Sequence, residues 1–389
     1  MSRNDQELIA PLEKHKFNTD NLVKWMESNE IESTGLKVKQ FQGGMSNPTF
    51  FLESEYNKYV LRKKPPGKLL PKAHAVDREF KVMNALGKID FPVPKMLGFC
   101  DNPSVIGTEF FIMDYIDGRI ITTPEINGFS KNERNTICVS LAETLAKLHN
   151  VDYKSIGLES FGRPEGYIQR QIKLWSDQFQ RSKEDITVKA SFKEMDLLSI
   201  WLKENSIIED EFAIAHGDYR LGNTIIDKNN STVIGVLDWE LSTLGHPLAD
   251  LGYYCIPYRY GFEDLNLKQL GIPSEEEFLE LYMKFSGRSS IPNWPLFLSF
   301  ALFRSAAIIF GVAARTLLGN VSSESSNVFE QIKRAEDMAR IGYSICSNSY
   351  NIFITQSGGQ QVCFRLLSLW YRPIARLVLC PIRPSMPPV

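Results

Sequence analysis

Three polar residues at fixed spacing around two short apolar runs carry the chemistry this chain could perform. The segment His216-Gly217-Asp218-Tyr219-Arg220-Leu221-Gly222-Asn223 sets an asparagine five residues after an aspartate. Downstream, Val236-Leu237-Asp238-Trp239-Glu240 brings a second aspartate at the end of an apolar strand. Phosphoryl transfer needs such a set: one carboxylate to orient a hydroxyl and take its proton, with an amide oxygen and a second carboxylate to hold Mg2+ on the phosphates of ATP. The metal neutralises charge that would otherwise repel the nucleophile. Asp218 is therefore read as the catalytic carboxylate, and Asn223 and Asp238 as the metal ligands. An aspartate suits the first role although the free side chain's pKa is only about 4, because the hydroxyl proton leaves late and a positioned acceptor suffices. The bland alternative has His216, Asp218 and Asp238 only capping and salt-bridging a β element. A lone His-Gly-Asp would suit that reading, but Asn223, Asp238 and a further Asp250 follow in order. His216 and Asp250 are read as supporting groups.

The elements around these residues fall into two groups. A short helix is expected over 17–30. Two β-rich runs follow, 38–44 and 49–54, joined by Gly43-Gly44-Met45-Ser46-Asn47-Pro48, and a third strand over 59–65. Val76, Phe80, Met83 and Leu86 recur at helical spacing, and strands at 94–99 and 109–116 close this part. Beyond Gly118 the pattern is mainly helical, with helices over 131–150, 166–181 and 191–205. A compact β segment at 212–227 and 233–240 is embedded among them, and helices resume to about Tyr343. Strands first, then helices around one β element, predict an α+β, two-lobed fold with a cleft: a small antiparallel-sheet N-lobe and a mainly helical C-lobe.

The cleft must also hold the nucleotide. In a kinase, a cation on the third strand pairs with the phosphates and with a helix glutamate. Arg62 takes that position, with Glu79 as partner, because strand alternation lets only one of Arg62 and Lys63 face the cleft. An ordinary surface pair is the rival reading. Lys63 and Lys64 are expected to be solvated. Gly43, Gly44, Ser46 and Asn47 lie where a phosphate-covering loop belongs, since glycine lets backbone N–H groups approach anionic oxygens. A plain hairpin turn is the alternative there. Met113, Asp114, Tyr115 and Ile116 form the link between lobes, where backbone groups of Asp114 and Ile116 would pair with adenine.

The spacing matches the HRDxxxxN loop and DFG segment of protein kinases, altered to HGDxxxxN and DWE. So altered, it resembles the aminoglycoside phosphotransferase superfamily, whose fold is protein-kinase-like. Leu145-Ala146-Lys147-Leu148-His149 ends its helix as in that superfamily, and Leu244 to Leu251 is similar to its GDPxxDLA segment. The strings VLRKKPPGKLLPKAHAVDREFKVMNAL, FPVPKMLGFC, VIGTEFFIMDYIDGR and VLDWELSTLGHPLADL resemble, more closely, the kinase domain fused to acyl-CoA dehydrogenases of family members 10 and 11. That resemblance runs from about His15 to Gly342. It implies phosphorylation of a hydroxyl on a small metabolite, a 4-hydroxyacyl-CoA type, in fatty-acid catabolism. A non-catalytic nucleotide or acyl-CoA binding module of the same fold is the alternative, kept open by the missing lysine at position 62. The DWE and the lack of an APE-type segment disfavour a protein substrate.

Composition sets the outer bounds. The chain has 389 residues, 43% hydrophobic and 23% charged, with a net charge of −2, so no global field recruits nucleic acid. Six scattered cysteines show neither zinc spacing nor a disulfide framework. No uncharged stretch reaches the roughly 18 apolar residues of a membrane span. The N-terminus reads as no targeting signal, so a cytoplasmic location is the default, whereas the resemblance points to mitochondria or peroxisomes. The sequence does not address the oligomeric state. Expected divisions are a leading segment 1–30, an N-lobe 31–117, a C-lobe 118–346 and a basic tail 347–389. The tail holds Arg365, Arg372, Arg376 and Arg383 but no acid, and it is expected to be poorly ordered. Tyr167, Trp175, Tyr253, Tyr254, Tyr258, Tyr260 and Phe262 would line an acyl-chain site or simply pack the core.

Overall fold

The structure is a computed structural model that describes residues 7–42, 47–65, 75–185, 192–208, 210–318 and 328–349. By contacts the chain divides into two units, Met1–Ser347 and Asn348–Val389. The expectation for the tail lies outside the described residues.

The first lobe is one antiparallel sheet of six strands: β1 (Leu8–Ile9), β2 (Lys37–Phe41), β3 (Thr49–Glu53), β4 (Lys58–Lys63), β5 (Met96–Cys100) and β6 (Phe110–Asp114). Their order is β1-β2-β3-β4-β6-β5, so β4 lies inside the sheet. Two helices cover it, α1 (Thr19–Ser28) and α2 (Val76–Gly87). Side chains alternate across a strand. Tyr59 and Leu61 of β4 therefore join Leu22 and Met26 of α1 in one buried cluster. Val60 turns to the opposite face, with Val76, Val82, Met83 and Leu86 of α2. The same alternation sends Arg62 to the α2 side and Lys63 to the α1 side.

The second lobe begins with α3 (Lys131–His149), α4 (Tyr167–Glu184) and α5 (Lys193–Asn205). Ser130 caps α3 with a reciprocal bond from Glu133, which satisfies two otherwise orphaned N–H groups. The β segment read as one unit is in fact two separate ribbons. β7 (Ala213–Ala215) pairs with β10 (Thr243–Gly245), and β8 (Thr224–Ile226) pairs with β9 (Val233–Val236). The His216–Asn223 segment is the crossing from one ribbon to the other, which gives it two anchored ends. Among the described residues, five helices complete the lobe: α6 (Pro247–Tyr254), α7 (Leu267–Leu270), α8 (Glu275–Ser286), α9 (Trp294–Leu317) and α10 (Val328–Ser349).

α9 is the axis of this lobe and packs on α4, α5 and α6. By length and composition it could cross a membrane, but Arg304 and Arg315 interrupt it, so the expectation that no uncharged stretch reaches a membrane span is unchanged. Within the protein, 83% of its most apolar window is buried, so it serves here as a core helix. Gly252 of α6 makes the close approach: a Cβ there would stand 2.7 Å from the Phe297 carbonyl oxygen of α9.

Candidate active site

The loop from β7 to β8 is held from beneath by one carboxylate. Asp250, at the first turn of α6, accepts the backbone N–H of His216 at 2.5 Å and of Gly217 at 2.8 Å. Burial pushes its carboxyl up, but His149, His216 and the Gly217 N–H outweigh burial and hold it below the usual range. Asp250 therefore stays ionised as the seat of the loop. His149 stands 3.5 Å from it and meets the Tyr282 hydroxyl at 2.8 Å. Gly217 has φ +85°, and a Cβ there would lie 2.6 Å from the Leu241 carbonyl oxygen, so no other residue fits this turn.

The His216 ring is fully buried and both of its nitrogens are used. Nε2 faces the Leu237 carbonyl at 2.9 Å, and Nδ1 accepts the Asp218 N–H at 3.2 Å. That pattern assigns the proton to Nε2 of a neutral ring, and burial lowers its pKa accordingly. His216 thus ties the loop to the strand that ends in Asp238. Asn223 closes the loop. Its amide nitrogen donates to the Asp218 carbonyl at 2.9 Å and to the Asp218 carboxylate at 2.7 Å. Arg220 adds a contact at 3.3 Å to the same carboxylate oxygen. Asp218 is oriented by two donors while its side chain remains 17% exposed toward the cleft.

Opposite the loop, Arg62 gathers three acids. Its Nη2 meets Asp238 at 2.8 Å and Glu240 at 3.4 Å, and its Nε stands 3.1 Å from Glu79. The Glu79 contact is an ion pair without hydrogen-bond alignment, since neither atom satisfies the angular requirement for a bond. Burial disfavours the Arg62 charge, but Glu79, Asp238 and Glu240 outweigh it and raise its pKa. Glu79 is wholly buried, and burial pushes it up to about 7 against the pull of Arg62. Asp238 has φ +67°, a left-handed conformation that aspartate tolerates better than most residues. That turn ends β9 and points the carboxylate at the cleft rather than along the ribbon.

The residues fit a hard divalent cation. Asn223 spends its amide nitrogen on Asp218, which leaves its amide oxygen as a donor. Asp238 is 31% exposed and, among the described residues, is held by the Arg62 guanidinium. Both supply oxygen, the donor type Mg2+ takes.

The nucleotide side is described in part. Gly43, Gly44 and Ser46 lie outside the described residues. Asn47 is buried, and its carbonyl accepts from the Thr49 hydroxyl at 3.1 Å. Met113 and Asp114 end β6, and Tyr115 and Ile116 follow as the link. The Asp114 N–H is already given to the Lys95 carbonyl at 2.9 Å, and the Tyr115 N–H to Lys58 at 3.2 Å. Among the described residues no backbone carbonyl accepts the Ile116 N–H. The expected solvation of Lys63 and Lys64 is corrected. Lys63 is 4% exposed, over the rings of Phe17 at 5.1 Å and Phe50 at 5.8 Å. Lys64 pairs with Glu109 at 2.6 Å. Lys63 is covered because α1 and the segment before it fold over this face of the sheet.

A cavity of about 350 Å³ opens beside the loop. Its walls include Tyr253, Tyr254, Tyr258, Phe262, Ile308 and Ile309, and its charged lining residues are Arg220 and Arg334. No described lining residue is acidic. Tyr253 stands between this cavity and Asp218. Burial and then the Asp218 carboxylate raise its hydroxyl pKa. Of the seven aromatics read from sequence, Tyr253, Tyr254, Tyr258 and Phe262 line the cavity, whereas Tyr167 packs against Gly245. Sequence reasoning missed Glu240, His149, Arg220 and Arg304. Arg220, Glu240 and His149 stood inside the quoted motifs, while no local signal marked Arg304.

A small antiparallel sheet over a helical lobe, an Arg62–Glu79 pair in the upper lobe, and Asp218, Asn223 and Asp238 below it define a kinase-like phosphotransferase. Residues 37–284 match the model of the phosphotransferase enzyme family, and the chain belongs to that family. It is 41% identical over 367 residues to acyl-CoA dehydrogenase family member 11 of Homo sapiens, covering 90% of this chain and 46% of that protein. Acyl-CoA dehydrogenase family member 10 of Mus musculus is 37% identical over 324 residues, covering 81% of this chain and 30% of that protein. The chain thus spans less than half the length of either relative. A crystal structure from Ralstonia eutropha JMP134, to which aminoglycoside phosphotransferase activity is ascribed, superposes with TM-score 0.76 at 37% identity, covering 86% of this chain and 99% of that one. Choline kinase of Cryptosporidium parvum Iowa II shares the fold, with TM-score 0.60 at 17% identity, covering 86% of this chain and 96% of that one.

Proposed function

We propose that this chain transfers the γ-phosphoryl group of ATP to a hydroxyl of a hydroxyacyl metabolite, of the 4-hydroxyacyl-CoA type. The observation that carries the reading is the cavity beside the loop that follows Asp218: aromatic and aliphatic walls, arginine as the charged residue type, and no acid among the described lining residues. A polycationic aminoglycoside needs carboxylates around it, whereas an acyl chain with an anionic end needs apolar walls and guanidinium groups. The names of the relatives, both acyl-CoA dehydrogenase family members, support the same acceptor class.

In the reaction, Asp218 accepts a hydrogen bond from the acceptor hydroxyl and turns its oxygen toward the γ-phosphorus. The O–P bond forms as the bond to the leaving diphosphate breaks. The proton passes to the Asp218 carboxylate and then to water, and ADP leaves. Arg62 exchanges its Asp238 contact for the phosphates while its Nε stays beside Glu79. Asn223 and Asp238 would hold Mg2+, which would supply neutralising charge to the transferred group. Solved neighbours of the same fold include an ADP complex and a GDP complex, which supports a nucleotide in this cleft.

The test is ATP consumption by the full chain against hydroxyacyl-CoAs, sugars, amino alcohols and an aminoglycoside. Turnover with hydroxyacyl-CoAs above all others is expected. Equal or better turnover of an aminoglycoside or sugar overturns the acceptor assignment. ATP binding without turnover of any acceptor identifies a binding module.

A further inference from the structure

Arg304, in the middle of α9, is 6% exposed. Its guanidinium carbon lies 5.7 Å from the centre of the Trp175 ring on α4 and 5.3 Å from the Tyr253 ring on α6. No carboxylate among the described residues pairs with it, and its Nε is buried with no hydrogen-bond partner. A buried guanidinium has five donors and no acceptor, and aromatic faces satisfy only part of its charge. Leaving such a charge without an anion is costly, which is why buried charges are paired as a rule. Arg62, the partly buried arginine of the site, follows that rule with three acids. Arg304 breaks it, one tyrosine away from the catalytic carboxylate. The Tyr253 hydroxyl feels both groups: Asp218 raises its pKa and Arg304 lowers it. The next residue, Ser305, lines the cavity beside the loop together with Tyr253.

We propose that Arg304 is the acceptor-reading residue of this enzyme: clamped between Trp175 and Tyr253, it takes an oxygen of the acceptor's carboxyl-derived group while the hydroxyl lies at Asp218. The shared chemistry is a carboxyl oxygen, presented as a free carboxylate or as a thioester carbonyl. This assignment rests on the phosphotransfer reading above and adds a specificity determinant to it. The missing partner of Arg304 is then part of the substrate. The enzyme selects hydroxy acids or their thioesters over plain alcohols because only they complete the ion pair or hydrogen bond.

The experiment compares wild type, Arg304→Met and Arg304→Lys, all as full chains. Acceptors are 4-hydroxybutyrate, its CoA thioester, and 1-butanol, which keeps the hydroxyl and lacks the carboxyl oxygen. Wild type is expected to prefer one or both carboxyl-bearing acceptors, and Arg304→Met to lose about 10²-fold in kcat/KM for them, as expected for a bond to a charged group. The preference over 1-butanol then collapses, and the acceptor whose preference collapses identifies the source of the oxygen. Arg304→Lys, which keeps a point charge without the planar fork, is expected to restore part of the preference. It also serves where the methionine variant does not fold. An unchanged preference in both variants overturns the assignment, as does an equal loss for all three acceptors.

A binding arm separates this assignment from the reaction itself. Butyrate and butyryl-CoA, which have no hydroxyl, are titrated calorimetrically into each protein. Binding to wild type and not to Arg304→Met, without turnover of any hydroxy acid, keeps the Arg304 site and removes the phosphotransfer reading. Turnover of hydroxyacyl-CoA with equal butyryl-CoA binding in all three proteins keeps the reaction and removes the Arg304 assignment. No binding of either probe to wild type overturns it as well.

Discussion

Arg62 holds Asp238 at 2.8 Å across 176 residues of sequence. One guanidinium thus neutralises the carboxylate assigned to the metal and, through Glu79 and Glu240, two more. This clasp joins the sheet to the ribbon beneath it. Phosphate oxygens and a divalent cation would divide its partners between them, with phosphate drawing Arg62 and the cation drawing Asp238.

Asp238→Ala is expected to abolish Mg2+-dependent nucleotide binding, and Asn223→Ala to weaken it. Mg2+ titrations of nucleotide affinity check this. Superimposable curves for wild type and a variant would remove that variant's residue from metal binding.

Arg62→Ala is expected to raise KM for ATP by about tenfold or more, the value of a charge-assisted phosphate contact. Lys63→Met should leave that KM unchanged. It should also leave Tm equal or higher, because burial lowers the Lys63 pKa and the ammonium gains no acid partner among the described residues. A raised KM in Lys63→Met would contradict the facing of β4.

Asp218→Asn is expected to slow the chemical step by about 10²-fold or more while nucleotide affinity holds, because the lost group is a proton acceptor facing the other substrate. Single-turnover rates and equilibrium binding separate the two effects. Near-normal turnover would exclude Asp218 from its role.

Glu79 supplies a pH signature. Its folded pKa of about 7 lies above the ordinary carboxyl value of 4.5. The folded state therefore holds the extra proton between these values, and stability falls as pH rises from 4.5 through 7. Glu79→Gln removes that contribution, so Tm of the variant relative to wild type should climb across this window. A difference in Tm that stays flat with pH would show that Arg62 keeps Glu79 ionised throughout.

The sequence by itself determined what depends on local spacing. The asparagine five residues after Asp218 is a property of one loop, and Asp238 follows a single apolar strand. The facing of Arg62 follows from strand alternation alone, since Tyr59 and Leu61 fix one side of β4. The two-lobed class followed from where period-2 runs gave way to helical spacing. Tertiary structure decided which group satisfies which charge. Lys63 looked solvated because nothing nearby in sequence covers it; Phe17, 46 positions earlier by residue number, does so. Arg304 sat unnoticed in an apolar helix, and only the convergence of α4, α6 and α9 showed that its charge is buried against Trp175 and Tyr253 with no acid paired to it among the described residues. Desolvation and pairing depend on segments that chain closure brings together, and residue spacing does not record them.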